Sequence, residues 1–210
     1  MLGRTYLFAR HAQALHQRVT LRAETYPEGA DWPLSRTGEA QARELGRAFA
    51  GAACERVVSS TLRRARETAE IASAATGIPY RDAWPELNEI APRTLHRRAR
   101  ARARPEWCDG IAGAWHLHRH LRGRDCEALD VASVERRIRG VLARLDALAE
   151  RRIAIVSHGY LIFLIALVIP GVLRPALIRN CSITRVRADG RGRYRLDSFA
   201  ERAVTRPGAR

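Results

Sequence analysis

Tyr6-Leu7-Phe8-Ala9-Arg10-His11 is an apolar run that stops abruptly on two polar residues. A short apolar run without alternation suits a strand buried on both faces, as parallel sheets require. The reading is a strand over Arg4–Ala9, with Arg10 and His11 leaving its carboxyl end. Open α/β sheets bind their ligands at that edge. A second run, Ile153-Ala154-Ile155-Val156, ends in the same way on Ser157-His158-Gly159. Two strand ends therefore each deliver a histidine, and one of them delivers an arginine as well.

Outward from these runs, strand and helix signals alternate. Ser35 is a fitting N-cap for a helix to about Ala50, with Leu45 and Phe49 four apart on its inner side. Arg56–Ser59 reads as a short strand. A helix follows from about Thr61 to Ala75, closed by Gly77 and Pro79. Val131–Ala149 carries Val131, Val134, Ile138, Val141, Leu142, Leu145 and Leu148 on one stripe. Arg152–Val156 is the next strand, and Tyr160–Ile169 a helix that Pro170-Gly171 ends. Ser182–Val186 and Tyr194–Ser198 form a late pair around Asp189-Gly190. This order predicts an α/β fold with a mainly parallel central sheet covered on both faces, a three-layer α/β/α sandwich. All 210 residues fit one domain of ordinary size. Residues 91–130 match no such unit and read as an insertion over the site, and the tail after Ala200 reads as mobile.

Four separated pieces carry chemistry: Arg10-His11, Ser60-Thr61-Leu62-Arg63-Arg64-Ala65, Glu89 in Leu87-Asn88-Glu89-Ile90, and Ser157-His158-Gly159. In the same order run Pro33-Leu34-Ser35, Gly38, Gln41-Ala42, Thr68-Ala69 and Asn180-Cys181-Ser182-Ile183-Thr184. Together they resemble the histidine phosphatase superfamily, the phosphoglycerate mutase-like fold, in its phosphatase branch. The resemblance covers roughly residues 4–90 and 131–188.

The resemblance implies a metal-independent phosphomonoesterase working through a phosphohistidine, with no cofactor. His11 would be the nucleophile, an imidazole being substantially neutral near pH 7. Arg10, Arg64 and His158 would bind the phosphoryl oxygens, joined by Gln17 and Gly159. Glu89 would protonate the leaving oxygen and then activate water, with Glu86 the nearby substitute. The helix beginning near Thr61 would add backbone amides toward the anion. Two positions depart from the family pattern. Ala12 stands where the pattern has glycine, and Gln17 where many members carry asparagine. A phosphoglycerate-type phosphomutase and a non-catalytic phosphate- or RNA-binding relative are the alternatives.

Composition narrows the partners. The net charge is +15, and all 37 basic side chains are arginine. A genome bias towards alanine and arginine is the preferred explanation, and a field that draws anionic substrates is the functional alternative. Arg97, Arg98, Arg100, Arg102 and Arg104 would either clamp a polyanionic substrate or form a solvated face. No aromatic residues interleave to stack bases, which argues against nucleic acid. His116, His118 and His120 alternate, but no carboxylate or cysteine joins them at ligand spacing. The cysteines (Cys54, Cys108, Cys126, Cys181) form no C-x-x-C pair, and no signal-peptide series precedes the first strand. The expectation is a cytoplasmic protein with reduced thiols, monomeric or homodimeric, without a membrane span, acting on a small phosphorylated substrate or a phosphoprotein.

Overall fold

In the computed structural model, residues 3–15, 31–90, 131–171 and 177–203 are described. The segments 91–130 and 204–210, Gln17, the Arg97–Arg104 run and the three alternating histidines lie outside them. The elements are β1 (Arg4–Arg10), α1 (Arg36–Gly51), β2 (Arg56–Ser60), α2 (Arg63–Ala74), β3 (Tyr80–Trp84), a short 3-10 turn (Pro85–Leu87), α3 (Val131–Asp146), β4 (Arg152–Ser157), α4 (Gly159–Val168), β5 (Ser182–Ala188) and β6 (Tyr194–Arg202).

The six strands form one sheet in the order β3-β2-β4-β1-β5-β6. The first four run parallel, while β5 and β6 are antiparallel additions at one edge. β1 shows why its sequence is an unbroken apolar run. Tyr6 and Phe8 enter the core beneath α3 and α4, whereas Leu7 and Ala9 enter the core beneath α1 and α2. Each face is thus sealed by helices, as the three-layer reading requires.

Register is what positions the site. Arg10 pairs with Ser157 across β1 and β4, and Ser59 pairs with Val156 across β2 and β4. The carboxyl ends of three adjacent strands are therefore level. His11, Ser60 and His158 come off the sheet at one edge, and His11 N–H donates to Ser157 O at 2.9 Å.

Helix α1 starts as its sequence implies, with Ser35 Oγ accepting from Gly38 N–H at 3.0 Å. A Cβ at Gly38 would lie 2.1 Å from the carbonyl oxygen of Gln13, so only glycine lets α1 touch the chain just after His11. Between α1 and α2, small residues allow the same close approach. Gly46 faces the Ala72 backbone, and α2 buries Ala65, Thr68, Ala69 and Ala72.

Several boundaries differ from expectation. β3 gave no sequence signal because it is an edge strand in which only Trp84 is buried. α2 begins at Arg63, two residues late. α3 ends at Asp146, whose carboxylate accepts from the Tyr6 and Tyr194 hydroxyls at 2.5 and 2.6 Å. β6 extends to Arg202, so the tail expected to be mobile after Ala200 is ordered for two further residues.

Candidate active site

Polar burial is concentrated at the level strand ends. Arg10, His11, Ser60, Ser157 and His158 are each at most 5% exposed. Burying so many polar groups is costly unless they are partnered or held for a ligand.

His11 is fixed at both ring nitrogens. Nδ1 lies 2.8 Å from the carbonyl oxygen of Ala12, and Nε2 accepts from Arg64 Nε–H at 3.2 Å. A carbonyl only accepts and a guanidinium only donates. His11 is therefore the neutral tautomer with its proton on Nδ1 and its lone pair on Nε2. Burial, reinforced by the charge of Arg64 and by His158 and Arg10 nearby, holds its pKa well below the usual histidine value.

The loop carrying His11 is clamped by side chains from other elements. Thr68 Oγ1 accepts from Ala12 N–H at 3.1 Å and donates to Arg64 O at 2.6 Å. Gln41 Oε1 accepts from Gln13 N–H, and Asn180 Nδ2 donates to His11 O, both at 2.9 Å. Cys181 N–H donates to Arg10 O at 3.0 Å from a left-handed backbone conformation, φ 58. Ala12 has no such conformation, since the positive-φ non-glycine residues are Ala53, Cys181 and Ala200. The methyl that departs from the family glycine is simply buried.

His158 sits beside His11, ring centroids 5.2 Å apart. Its Nε2 meets Ser60 Oγ at 2.7 Å, while its buried Nδ1 has no hydrogen-bond partner. Burial again leads the causes that hold its pKa well below normal, with Arg64, Arg10 and Arg137 adding to the effect. Arg10 donates from one terminal nitrogen to Ile178 O at 2.8 Å, and Gly159 packs against its side chain.

Glu89 lies across the start of α4. Its carboxylate accepts from Leu161 N–H and Tyr160 N–H at 3.1 and 3.3 Å, where the helix dipole favours negative charge. Glu86, the substitute, is exposed and faces Arg144 at 3.5 Å. The loop holding Glu89 is fastened from behind. Arg137 of α3 donates to the carbonyls of Pro85, Glu86 and Asn88, Ser157 Oγ donates to Leu87 O at 2.8 Å, and Asn88 Oδ1 accepts from Thr61 N–H and Oγ1–H.

Three amides leading into α2 are already engaged by side chains. Thr61, Leu62 and Arg63 N–H already donate to Asn88, Ser60 and Asp31 side chains. Among the described residues, no cluster of three metal-ligating side chains occurs.

The comparisons with known proteins bear on this geometry. A sequence model of the histidine phosphatase superfamily (branch 1) matches residues 6–201. The chain belongs to the histidine phosphatase superfamily. Solved structures with the same fold are distant in sequence. Mycobacterial glucosyl-3-phosphoglycerate phosphatase superposes with a TM-score of 0.65 at 22% identity, over 95% of this chain and 99% of that one. Phosphoglycerate mutase from Bacillus anthracis gives 0.67 at 18% identity, over 95% and 93%. A phosphoserine phosphatase mutant from Entamoeba histolytica, in complex with phosphoserine, gives 0.62 at 21% identity, over 93% and 96%. A search of curated proteins gives no match. At these identities the neighbours share the fold of this histidine phosphatase superfamily member, and they include both phosphatases and a mutase.

Arg137 is the residue that sequence reading missed. It precedes Ile138 on the flank of an apolar stripe, and in a chain with 37 arginines nothing local marks it. Ser60, Thr68 and Asn180 were visible as pattern matches, but their partners were not.

Proposed function

We propose that the protein is a metal-independent phosphomonoesterase with His11 as nucleophile. The observation that carries this reading is the doubly fixed imidazole. The Ala12 carbonyl places its lone pair on Nε2, and Arg64 donates to that same atom. A phosphoryl group arriving there meets a nucleophile and an arginine fork together.

In the first step Nε2 of His11 attacks phosphorus while the ester P–O bond breaks in line. The leaving oxygen takes a proton from Glu89. Arg10, Arg64 and the Nδ1 side of His158 neutralise charge spread over the equatorial oxygens, an electrostatic stabilisation that needs no reorganisation when donors are already fixed. In the second step water gives its proton to Glu89 and attacks the phosphohistidine. The N–P bond breaks, the electron pair returns to Nε2, and inorganic phosphate leaves. Gln17 and Gly159 belong to the same phosphate-binding proposal. Neither buried cysteine in the described residues competes as nucleophile, because burial pushes the Cys54 and Cys181 thiols up to about 12.

A phosphomutase reading draws on the mutase neighbour, whose superposition is as close as those of the phosphatases. The two separate on the fate of the phosphoryl group. Purified protein, held with excess chelator, is offered a panel of phosphorylated metabolites, nucleotides and phosphopeptides. Release of stoichiometric inorganic phosphate supports the phosphatase. Transfer to a second hydroxyl without release supports the mutase, and binding without either supports the non-catalytic relative.

A further inference from the structure

Ser60 Oγ lies between two groups, and its single proton decides the state of a third. Leu62 N–H donates to that oxygen at 3.2 Å, and His158 Nε2 lies 2.7 Å from it. The histidine is fully buried, and its remaining nitrogen has no partner.

Two arrangements are possible for a neutral His158. If Nε2 carries the proton, Ser60 Oγ accepts from both sides. The serine hydrogen is then left without an acceptor, and so is the Nδ1 lone pair without a donor. If Nδ1 carries the proton, the serine hydroxyl donates to Nε2 and accepts from Leu62. One group is then left over, the Nδ1–H. Buried polar groups are rarely left unpaired, so the arrangement with one orphan is favoured over the arrangement with two. That orphan is a donor on a ring whose centroid lies 5.2 Å from that of His11 and which feels the charges of Arg64 and Arg10, where an anion would supply the missing acceptor.

We infer that Ser60 is a positioning residue that holds neutral His158 as its Nδ1–H tautomer, reserving that N–H for an anionic ligand. The inference rests on the phosphatase reading for the identity of the anion, but not for the tautomer. It also completes a symmetry of function between the two histidines. In each, an oxygen beside one ring nitrogen fixes what the other offers. The Ala12 carbonyl leaves the His11 lone pair on Nε2, and the Ser60 hydroxyl leaves the His158 proton on Nδ1.

The test is long-range 1H–15N correlation spectroscopy of the imidazoles in 15N-labelled protein at neutral pH, with His158→Gln used to assign signals. His158 is expected to show a protonated Nδ1 and an unprotonated Nε2, and inorganic phosphate should shift the Nδ1 signal. A protonated Nε2 in the wild type overturns the inference, as does an Nδ1 signal that saturating phosphate leaves unmoved. Ser60→Ala should lose the tautomer preference and lower kcat/KM for an aryl phosphate by roughly 5- to 10-fold, the effect of one hydrogen bond. Ser60→Thr keeps a hydroxyl and should restore both. Retention of the Nδ1–H form in Ser60→Ala would remove Ser60 from the role. If no phosphate ester is turned over, the spectrum still decides the tautomer, and it is the phosphatase reading that fails.

Discussion

Arg64 Nε donates to His11 Nε2 over 3.2 Å, so the atom proposed to attack phosphorus is already hydrogen-bonded by the group proposed to bind the phosphate. A guanidinium cannot yield its proton at neutral pH, which keeps the imidazole unprotonated at that nitrogen. An incoming phosphoryl group takes over the same N–H and frees the lone pair in one exchange. Arg64→Met should therefore lower kcat by about 10²–10³-fold, the scale of one lost transition-state donor. Arg64→Lys should recover little, since it lacks both the Nε–H and the fork. Steady-state rates on an aryl phosphate measure this, and a lysine variant at wild-type rate would contradict it.

The nucleophile itself is tested by trapping. His11→Ala should abolish turnover and leave the circular dichroism spectrum and melting temperature near wild type. Rapid quenching of wild-type protein should yield an acid-labile, base-stable phosphoryl group that maps to the His11 peptide. Label on a serine, or none at all during turnover, would remove the covalent mechanism.

Both buried histidines have pKa values well below 6.5, with two consequences of definite sign. Below pH 6.5 the unfolded chain binds protons that the native site refuses, so stability falls as pH falls, by about 1.4 kcal/mol per pH unit for each histidine. Denaturant midpoints measured from pH 7 downwards should show that slope, reduced in His158→Gln. The acid limb of kcat/KM assigned to His11 should likewise lie below the ordinary histidine range. A limb centred at 6.5 or above would show that His11 is not held neutral.

The Glu89 carboxylate is held by backbone N–H groups, those of Tyr160 and Leu161 and that of its own neighbour Ile90, and Arg137 fastens its loop from behind. Glu89→Gln should depress hydrolysis of alkyl phosphates far more than formation of phosphoenzyme from an aryl phosphate, whose leaving group needs no proton. Arg137→Met releases three carbonyls behind the same loop. It should reproduce the leaving-group selectivity in weaker form. Equal losses on both substrate types would assign Arg137 to stability alone and would direct attention from Glu89 to Glu86.

The strands that end in histidine were legible because both faces of β1 and β4 are covered, which forces unbroken apolar runs and makes Arg10-His11 and Ser157-His158 conspicuous. The edge strand β3 was not, since one buried Trp84 leaves no pattern. The polar groups that the strand ends bring together were legible, and the side chains that support them were not. That Arg64, and not Arg63 beside it, reaches His11 depends on the turn of α2, where Arg63 pairs with Glu67 at 2.7 Å instead. Asn88 and Asp31 reach the Thr61 and Arg63 amides leading into that helix from distant parts of the chain, which no local sequence pattern encodes.

The family departure at position 12 makes the last prediction. Ala12 is fully buried, its backbone avoids the left-handed region, and its amide and carbonyl are both engaged, by Thr68 and His11. Restoring the family residue with Ala12→Gly removes a packed methyl and adds freedom to the unfolded chain. It should leave kcat within a few fold and cost roughly 0.5–1 kcal/mol of stability. The tight contact of the His11 loop is instead at Gly38, where a Cβ would fall 2.1 Å from the backbone oxygen of Gln13. Backbone cannot swing aside as a side chain can. Gly38→Ala should therefore displace the loop and lower both stability and turnover, although Gly38 touches no reacting atom. Thermal melts and rates on the two variants decide the matter. A tolerant Gly38→Ala with a crippled Ala12→Gly would mean that the loop is held by position 12 after all.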